Sequence, residues 1–235
     1  MSGHSHWSTI KRKKEANDQQ KGREFSKVSR EILLAVTLSG NVTDPNQNIR
    51  LRAALAKARE VNMPKDNIAR LLDRIKDKAQ HVTEVVYEAI GQHGVTYLIK
   101  TATDNSRRTQ TDIKIILDKA GAKLVAKGAV MYNYDLLTMF TIENYPEEAI
   151  LNLIEALGAV DFVKEDKTYY VYVLLDQFNE AWQKATELGF SKAPELVYKP
   201  KVTIEVDAQV AEAVYSLIEK LSSLEEIQEV YTNLA

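Results

Sequence analysis

A dense run of cationic side chains lies near the start of the chain and could bind phosphate groups. Lys11, Arg12, Lys13 and Lys14 are consecutive in the sequence. Cations that neutralise nucleic-acid phosphates release condensed counterions, so such a run supplies affinity while it carries little sequence information. The alternative is a charge run that is only solvated. The residues that we expect to contact phosphate here are Lys11, Arg12, Lys13, Lys14, Lys21, Arg23, Lys27 and Arg30.

Later cations could extend this surface, although they do not share one helix face. They are Arg50, Arg52, Lys57, Arg59 and Lys65. At 100° per residue their side chains point in several directions, so about half of them are expected to be ordinary solvent-exposed residues.

The segment "TDNSRRT", at residues 103–109, combines a helix cap with two arginines. Asp104 or Asn105 can accept hydrogen bonds from the first backbone N–H groups of the next helix. A helix N-terminus beside Arg107 and Arg108 could also hold a phosphate. Capping alone accounts for Asp104 and Asn105 but explains Arg108 less well, so Arg108 is a further candidate for nucleic-acid contact.

The sequence shows no motif for catalysis or for cofactor binding. The chain has no cysteine, which excludes thiolate nucleophiles and cysteine-based zinc sites. A P-loop, a GxGxxG pattern and a GxSxG pattern are also absent, and His6, His81 and His93 have no ligand spacing around them. We therefore predict that the protein is not an enzyme and that it has no cofactor and no metal site.

The N-terminal cations do not indicate a targeting segment. No apolar h-region follows them, so they do not form a secretory signal. No apolar run approaches the roughly 20 residues that span a bilayer, and the lack of cysteine suits a reducing compartment. We predict a cytoplasmic protein without a membrane partner.

Charge is distributed unevenly along the chain. Residues 1–80 hold 17 lysines and arginines and 9 aspartates and glutamates, whereas the other 155 residues hold 14 and 24. Such a split between parts of a chain predicts a polyanionic partner for the cationic part. The acidic remainder would avoid phosphate or bind a protein partner.

Three short helices are predicted between residues 22 and 81. In the first, four apolar residues recur at helical spacing, namely Phe25, Val28, Ile32 and Val36. The second runs from about Asn48 to Val61, and the third begins at Pro64, which suits the first position of a helix. These helices predict a small bundle. Residues 1–21 have almost no apolar periodicity, which favours a flexible arm.

After residue 82 the pattern becomes that of strands. Residues rich in β-branched and aromatic side chains flank Gly91 and Gly94, which predicts a hairpin, and a helix at 105–120 and a strand near "AVMYNY" follow. Residues 136–200 show the order strand, helix, strand, strand, helix, strand, which is that of a ferredoxin-like unit. A strand "VTIEV", a helix and a strand "IQEVYTN" come after Pro200.

These elements predict an α+β protein, with an N-terminal three-helix domain followed by two α+β (ferredoxin-like) domains, one inserted in the other. We expect a flexible basic arm at 1–21 and a helical nucleic-acid-binding domain at 22–81. The last three elements are too few for a domain of their own. We therefore join 201–235 to 82–134 as one discontinuous α+β domain, with a ferredoxin-like α+β domain inserted at 135–200.

Four motifs follow one another along the chain, namely "GHSHWSTIK", "NIRLRAALAKAREVNMPKDNI", "TDNSRRT" and "VYTN". In these motifs the sequence resembles the YebC/PmpR family, and the similarity runs nearly end to end in order and spacing. The chain departs from the family at His6, where lysine is usual, and at Ala89 and Ile90, which interrupt a YEGYG pattern. The stretch "MYNYDLLTMF" also lacks the usual phenylalanine and basic turn. The departures concern mainly the surfaces of the later domains.

The resemblance implies three domains, one helical and two α+β. It implies DNA binding with control of transcription in some members, and support of translation on the ribosome in others. It also favours Arg50, Arg52 and Lys65, which lie in a matching motif, as nucleic-acid contacts. Trp7 could stack on a base or fold back onto the first domain.

Together these observations predict a DNA-binding transcriptional regulator whose basic arm and helical domain hold the nucleic acid. The alternative is a translation factor that binds rRNA or tRNA on the ribosome and activates translation or relieves stalling on proline-rich stretches. The cations suit both targets, since both are polyphosphates. A protein partner could bind the acidic α+β domains.

Overall fold

The N-terminal part of the described chain consists of three helices. A computed structural model describes residues 18–76, 82–190, 192 and 194–235. Helix α1 spans Asp18–Leu38, α2 spans Ile49–Glu60 and α3 spans Lys65–Lys76. The last four residues of the predicted arm, 18–21, are therefore helical, while the domain boundary at residue 21 stays a prediction. Glutamine and lysine are good helix formers and extend a helix without apolar contacts.

One apolar face of each helix contributes to the first core. Val28, Ile32 and Val36 of α1 are at most 7% exposed, as their spacing predicts, and Leu51 and Ala58 of α2 are fully buried beside them. Burying one aliphatic side chain of this kind contributes roughly 1.5–3 kcal/mol. Because the apolar faces are packed into this core, the cations lie on the other faces of the helices, which are exposed to solvent.

Asn48 joins the end of α1 to the start of α2. Its Oδ1 accepts a hydrogen bond from the N–H of Leu51 at 3.0 Å and so caps α2. Its Nδ2 donates to the carbonyl oxygens of Ala35 and Val42 and to Ser39 Oγ. Asn48 is only 2% exposed, so a buried polar residue, and not only the apolar faces, sets the relation between the two helices.

The junction between α2 and α3 is a tight reversal at Asn62. Its φ of 59° lies in the left-handed region, which asparagine adopts more readily than most residues. The N–H of Met63 donates to the carbonyl of Ala58 at 2.8 Å, and Met63 is 7% exposed. The "NMPKDN" segment thus closes one helix and turns the chain into the next.

An antiparallel four-stranded sheet with two helices follows. Its elements are β1 Thr83–Ile90, β2 Thr96–Thr103, α4 Ser106–Lys119, β3 Lys123–Val125, α7 Ala208–Ser222 and β8 Ile227–Thr232. The strand order is β3-β1-β2-β8. The helices α4 and α7 pack against the sheet, and their core includes Ile113, Leu117 and Leu221.

The predicted strand near "AVMYNY" is wrong, since β3 lies earlier, at Lys123–Val125. Residues 131–133 form a 3-10 turn instead. The carboxylate of Glu88 explains this, because it accepts hydrogen bonds from the backbone N–H groups of Gly128, Val130 and Met131. Those N–H groups are therefore occupied by a side chain and do not join a strand ladder.

The predicted strand "VTIEV" is also wrong, because only Ile204 pairs with another segment. It forms a single parallel bridge to Leu234, and Val202 is 72% exposed. An alternating pattern indicates a strand only where a partner strand is available.

The "VYTN" motif connects two strands of this sheet. Asn233 Oδ1 accepts a hydrogen bond from the N–H of Thr96 at 2.8 Å, so this motif fastens the end of β8 to the start of β2.

Residues Tyr134–Lys201 form a second compact unit, while the described residues before and after them form the first. Its sheet is antiparallel in the order β5-β6-β4-β7, and the chain order is strand, helix, strand, strand, helix, strand. The predicted ferredoxin-like unit is confirmed. Its elements are β4 Tyr134–Glu143, α5 Glu147–Ala156, β5 Asp161–Glu165, β6 Thr168–Leu174, α6 Phe178–Glu187 and β7 Glu195–Pro200.

The α+β class is confirmed by these two sheets and their helices. Within the first unit, the helical region packs against the sheet, since Val82 and Ala102 belong to the same apolar cluster as the helix residues. The division of this unit into a helical domain and a sheet domain stays a prediction.

Candidate nucleic-acid interface

The predicted contacts in the basic arm cannot be located on the fold. Trp7, Lys11, Arg12, Lys13 and Lys14 lie outside the described residues, and for Lys21 only the backbone of α1 is described. The candidates that the structure places are Arg23, Lys27, Arg30, Arg50, Arg52, Lys65 and Arg108.

The three cations of α1 have different surroundings. Arg23 is exposed, and Lys27 is half-buried and interacts with another residue. Arg30 lies 3.6 Å from a carboxylate oxygen of Glu226 and 3.8 Å from one of Glu225. Of these three predicted phosphate contacts, Arg23 is therefore exposed, Lys27 already interacts with another residue, and Arg30 is held by acidic side chains.

Arg52 has a structural contact within the helical region. Its Nε donates to the carbonyl of Pro45 at 3.1 Å and its Nη2 to the carbonyl of Asn46 at 3.2 Å, so it fastens the loop between α1 and α2. Arg50, on the same helix, and Lys65, at the start of α3, are exposed. Of these three candidates, Arg50 and Lys65 have cationic groups that face solvent without such a contact.

The "TDNSRRT" motif forms the start of α4. Asn105 is the N-cap, since its Oδ1 accepts from the N–H of Arg108 at 3.1 Å, and its own N–H donates to Thr103 Oγ1 at 2.9 Å. The hydroxyls of Thr103 and Thr109 share a buried hydrogen bond of 2.7 Å. Asp104 accepts from Arg108 Nη2 at 2.7 Å, and its charge raises the pKa of that arginine. Every residue of the motif named here thus has a contact that stabilises this turn.

Glu226 brings together cations from two helices. Its Oε1 lies 3.6 Å from Arg30 Nη2 on α1 and 3.2 Å from Arg108 Nη2 on α4. The side chains of Arg30 and Glu226 are 19% and 14% exposed, so this pair is better shielded from solvent than an ordinary surface ion pair. A phosphate would have to compete with Glu226 for both arginines.

Two cations that the sequence analysis did not select lie on α3. Arg70 and Arg74 are exposed and line a cleft between α1 and α3 whose volume is about 540 Å³. They recur at i and i+4 on α3, and Leu71 lines the same cleft, so applying helical periodicity to the cations as well as to the apolar residues would have identified them.

The helical region carries a set of exposed cations for which the described part of the chain offers no ion-pair partner. These residues are exposed, and none of them makes an ion pair with another residue in the described part of the chain. They are Arg23, Arg50, Arg59, Lys65, Arg70 and Arg74. We call them the open cations. Like charges on one small region repel each other in the free protein, and this repulsion would be relieved by a bound polyanion.

Other kinds of site are not evident in the described ranges. They contain no group of three or more histidine, aspartate or glutamate side chains placed to hold a metal ion. No helix among the same residues is long and apolar enough to cross a membrane.

Nearly the whole chain is similar to proteins of one family. The family model "TACO1/YebC protein N-terminal domain" matches residues 5–78, and "TACO1/YebC second and third domain" matches residues 82–234. A probable transcriptional regulatory protein of Chloroflexus aggregans is 39% identical over 243 residues, covering 100% of this chain and 95% of that protein. One from Borrelia hermsii is 39% identical over 239 residues, covering 100% and 97%.

A solved structure shows a similar fold. The crystal structure of a conserved hypothetical protein from Aquifex aeolicus superposes with a TM-score of 0.88 at 30% sequence identity. The similarity covers 98% of this chain and 97% of that one. The arrangement of helices and sheets described above therefore recurs in a protein of experimentally determined structure.

Proposed function

The chain belongs to the TACO1/YebC family, and from this premise we propose that it regulates gene expression by binding nucleic acid through its N-terminal helical region. The observation that carries the proposal is the set of open cations, which have no carboxylate partner in the described chain. Its similar relatives are named probable transcriptional regulatory proteins, so DNA is the target that we propose first.

The open cations supply affinity rather than sequence recognition. Lysine and arginine at exposed helix positions contact phosphate oxygens, which are the same for every sequence. Arg50 and Arg59 lie on α2, whereas Lys65, Arg70 and Arg74 lie on α3, so the cations form a distributed surface instead of one recognition helix. We therefore expect the helical region to position the protein on a nucleic acid, and any choice among sequences to come from other contacts.

Salt dependence of binding tests the proposal directly. The equilibrium constant for a DNA duplex, measured by fluorescence anisotropy, should fall with salt, with a slope of log K against log salt of about −5 if six phosphates are neutralised. An RNA hairpin of equal length, measured in parallel, tests the alternative target. Tighter binding to the hairpin at every salt concentration would contradict DNA as the first target. Binding that does not depend on salt would contradict the proposal as a whole.

A pair of variants assigns the effect to the helical region. Replacing two open cations, in the variant Arg50→Gln/Arg59→Gln, should weaken binding to all sequences alike and make the slope shallower by about 0.9 for each phosphate that is no longer neutralised. The matched control is Lys114→Gln/Lys167→Gln, which removes two exposed lysines from other parts of the chain. Equally weakened binding in the two variants would show that affinity depends on the net charge of the protein and not on the position of the cations in the helical region.

A further inference from the structure

We infer that the cleft between α1 and α3 binds one unpaired nucleotide, with the base against its apolar floor and the phosphate on Arg70 and Arg74. This inference rests on the proposed function and specifies which part of a nucleic acid the helical region recognises. The shared chemistry is a flat base joined to a phosphate, and either a DNA strand or an RNA strand with an unpaired position could supply it.

The floor of the cleft is apolar. Leu33 of α1, Leu71 of α3 and Val82 are at most 7% exposed and line it, together with the half-buried ring of Phe25. All four residues belong to the first core or pack on it, so the floor is supported from below by packed side chains. A base gains from contact with such a surface, since stacking and apolar contact do not depend on base identity.

The walls of the cleft are polar and come from two helix faces. Ser26 and Ser29 lie on α1, and Asn67 lies on α3. Hydroxyl and amide groups both donate and accept hydrogen bonds, so they suit the edge of an unpaired base.

Both acidic and cationic side chains line the cleft. Asp104 and Glu225 share Arg108 and Arg30 with Glu226, so this cluster of three carboxylates and two arginines keeps one negative charge in excess. Arg70 and Arg74 make no ion pair with another described residue. An apolar floor beside two unmatched cations fits a ligand that is flat and apolar at one end and anionic at the other.

The size and concave shape of the cleft argue against a paired duplex as its occupant. Its volume of about 540 Å³ falls within the roughly 300–1,000 Å³ of pockets that hold a small ligand. A base within a duplex would have to leave the stack to enter, which costs free energy that an unpaired base does not require. We therefore expect a preference for bulged or single-stranded positions.

The test compares oligonucleotides that differ in one unpaired nucleotide. Fluorescence anisotropy with the full chain would measure binding to fully paired hairpins and to the same hairpins with a single-nucleotide bulge, in DNA and in RNA. We expect the bulged form to bind about tenfold more tightly, a factor typical of stacking one base. If the preference for the bulged form is larger in RNA than in DNA, the unpaired nucleotide comes from RNA, and the reverse result assigns it to DNA. Equal affinity for bulged and paired forms in both polymers would overturn the inference.

Matched variants locate the preference in the cleft. Ser29→Leu fills the cleft without a change of charge, and Ala69→Leu adds the same side chain at an exposed position of α3 outside the cleft. The first should abolish the preference for a bulge, and the second should keep it. A preference that survives in Ser29→Leu, with an unchanged melting temperature, would overturn the inference.

A second variant covers the case in which Ser29→Leu does not fold. Arg70→Gln/Arg74→Gln changes only exposed side chains, and it should reduce the advantage of the bulged form to less than about twofold by removing the cations that hold the phosphate. Retention of the tenfold advantage would overturn the inference. If salt-dependent binding to paired hairpins persists while the bulge makes no difference, the cleft assignment fails and the proposed function stands. Absence of all salt-dependent binding in the unaltered protein contradicts the proposed function itself.

Discussion

The carboxylate of Glu88 is buried and is bound by backbone donors from one loop. Its Oε2 accepts from the N–H groups of Val130 and Met131 at 2.6 and 2.9 Å, and its Oε1 accepts from the N–H of Gly128. Burial by itself would raise the pKa of this group, but the three backbone hydrogen bonds and the charge of Lys127 lower it overall. Gly128 has a φ of +88°, which only glycine adopts easily, so the loop conformation and the carboxylate depend on each other.

Replacing this carboxylate by an amide should destabilise the protein in a pH-dependent way. In Glu88→Gln one accepting oxygen becomes an NH₂ group that faces a backbone N–H, so we expect a decrease of about 2 kcal/mol in the free energy of unfolding at pH 7. Urea unfolding at several pH values measures it.

The sign of the pH dependence follows from the lowered pKa of Glu88. Its stabilising contribution is present above the unfolded pKa near 4.5 and is lost as the pH falls through the folded pKa. The difference between the unaltered protein and Glu88→Gln should thus be constant from pH 7 to about pH 5.5 and shrink below pH 4.5. Glu84→Gln, at an exposed position of the same strand, is the control and should change stability by less than about 0.5 kcal/mol. A difference that grows on acidification would be inconsistent with this account.

At the scale of elements, one acidic side chain connects the helical region to the first sheet. Glu226 precedes β8, Arg30 lies on α1, and the N–H of Ala102 in β2 donates to the carbonyl oxygen of Glu226 at 2.8 Å. The main chain of Glu226 thus contacts β2, and its side chain contacts α1. Because the ion pair is partly shielded from water, it is expected to contribute to how the helices are held on the sheet.

A double-mutant cycle of Arg30→Met and Glu226→Gln should show a coupling free energy of about 1 kcal/mol at low salt. The coupling should decrease in 1 M salt, because the side chains remain partly accessible to ions. Thermal or urea unfolding of the four proteins measures it. The exposed pair Glu180 and Lys184, one helical turn apart on α6, serves as a control for which a smaller coupling, below about 0.5 kcal/mol, is expected. Additive effects at Arg30 and Glu226 would mean that the ion pair does not hold the helices.

At the scale of the whole molecule, the cationic part of the chain is also its N-terminal part. Among the described residues, the first that contribute to an apolar core are Phe25 and Val28 of α1. The open cations add to the run at Lys11–Lys14 if both contact the same nucleic acid. Binding and folding are then expected to depend on different segments.

Removal of residues 1–17 tests this separation, and it keeps all the described residues of α1, Asp18–Leu38. We expect a melting temperature within a few degrees of that of the full chain and a much lower affinity, with the salt slope shallower by roughly 3 to 4 if the four consecutive cations contact phosphate. Calorimetry and anisotropy measure the two quantities. A truncated chain with unchanged affinity and slope would contradict the assignment of these cations. A strongly lowered melting temperature would contradict the separation.

Several features of the fold could be predicted from local patterns because local patterns cause them. The stripe of Val28, Ile32 and Val36 repeats with the helical period, and the unit at 136–200 shows its element order directly. The two strands that were predicted wrongly failed for a nonlocal reason. Residues 128–131 bind Glu88, which is some 40 positions away, and Ile204 finds only Leu234 as a partner.

The same distinction applies to the candidate interface. Residue types and their order along the chain determined that the first 80 residues are cationic, that helices carry these charges and that the protein resembles one family. Only the tertiary structure decided which cations are available, since Arg108 meets Glu226 across 118 positions and Arg52 is used by a loop. It also placed Arg70 and Arg74 beside an apolar cleft. A charge is inherent in a residue, whereas its freedom to bind phosphate depends on neighbours that folding brings from distant parts of the chain.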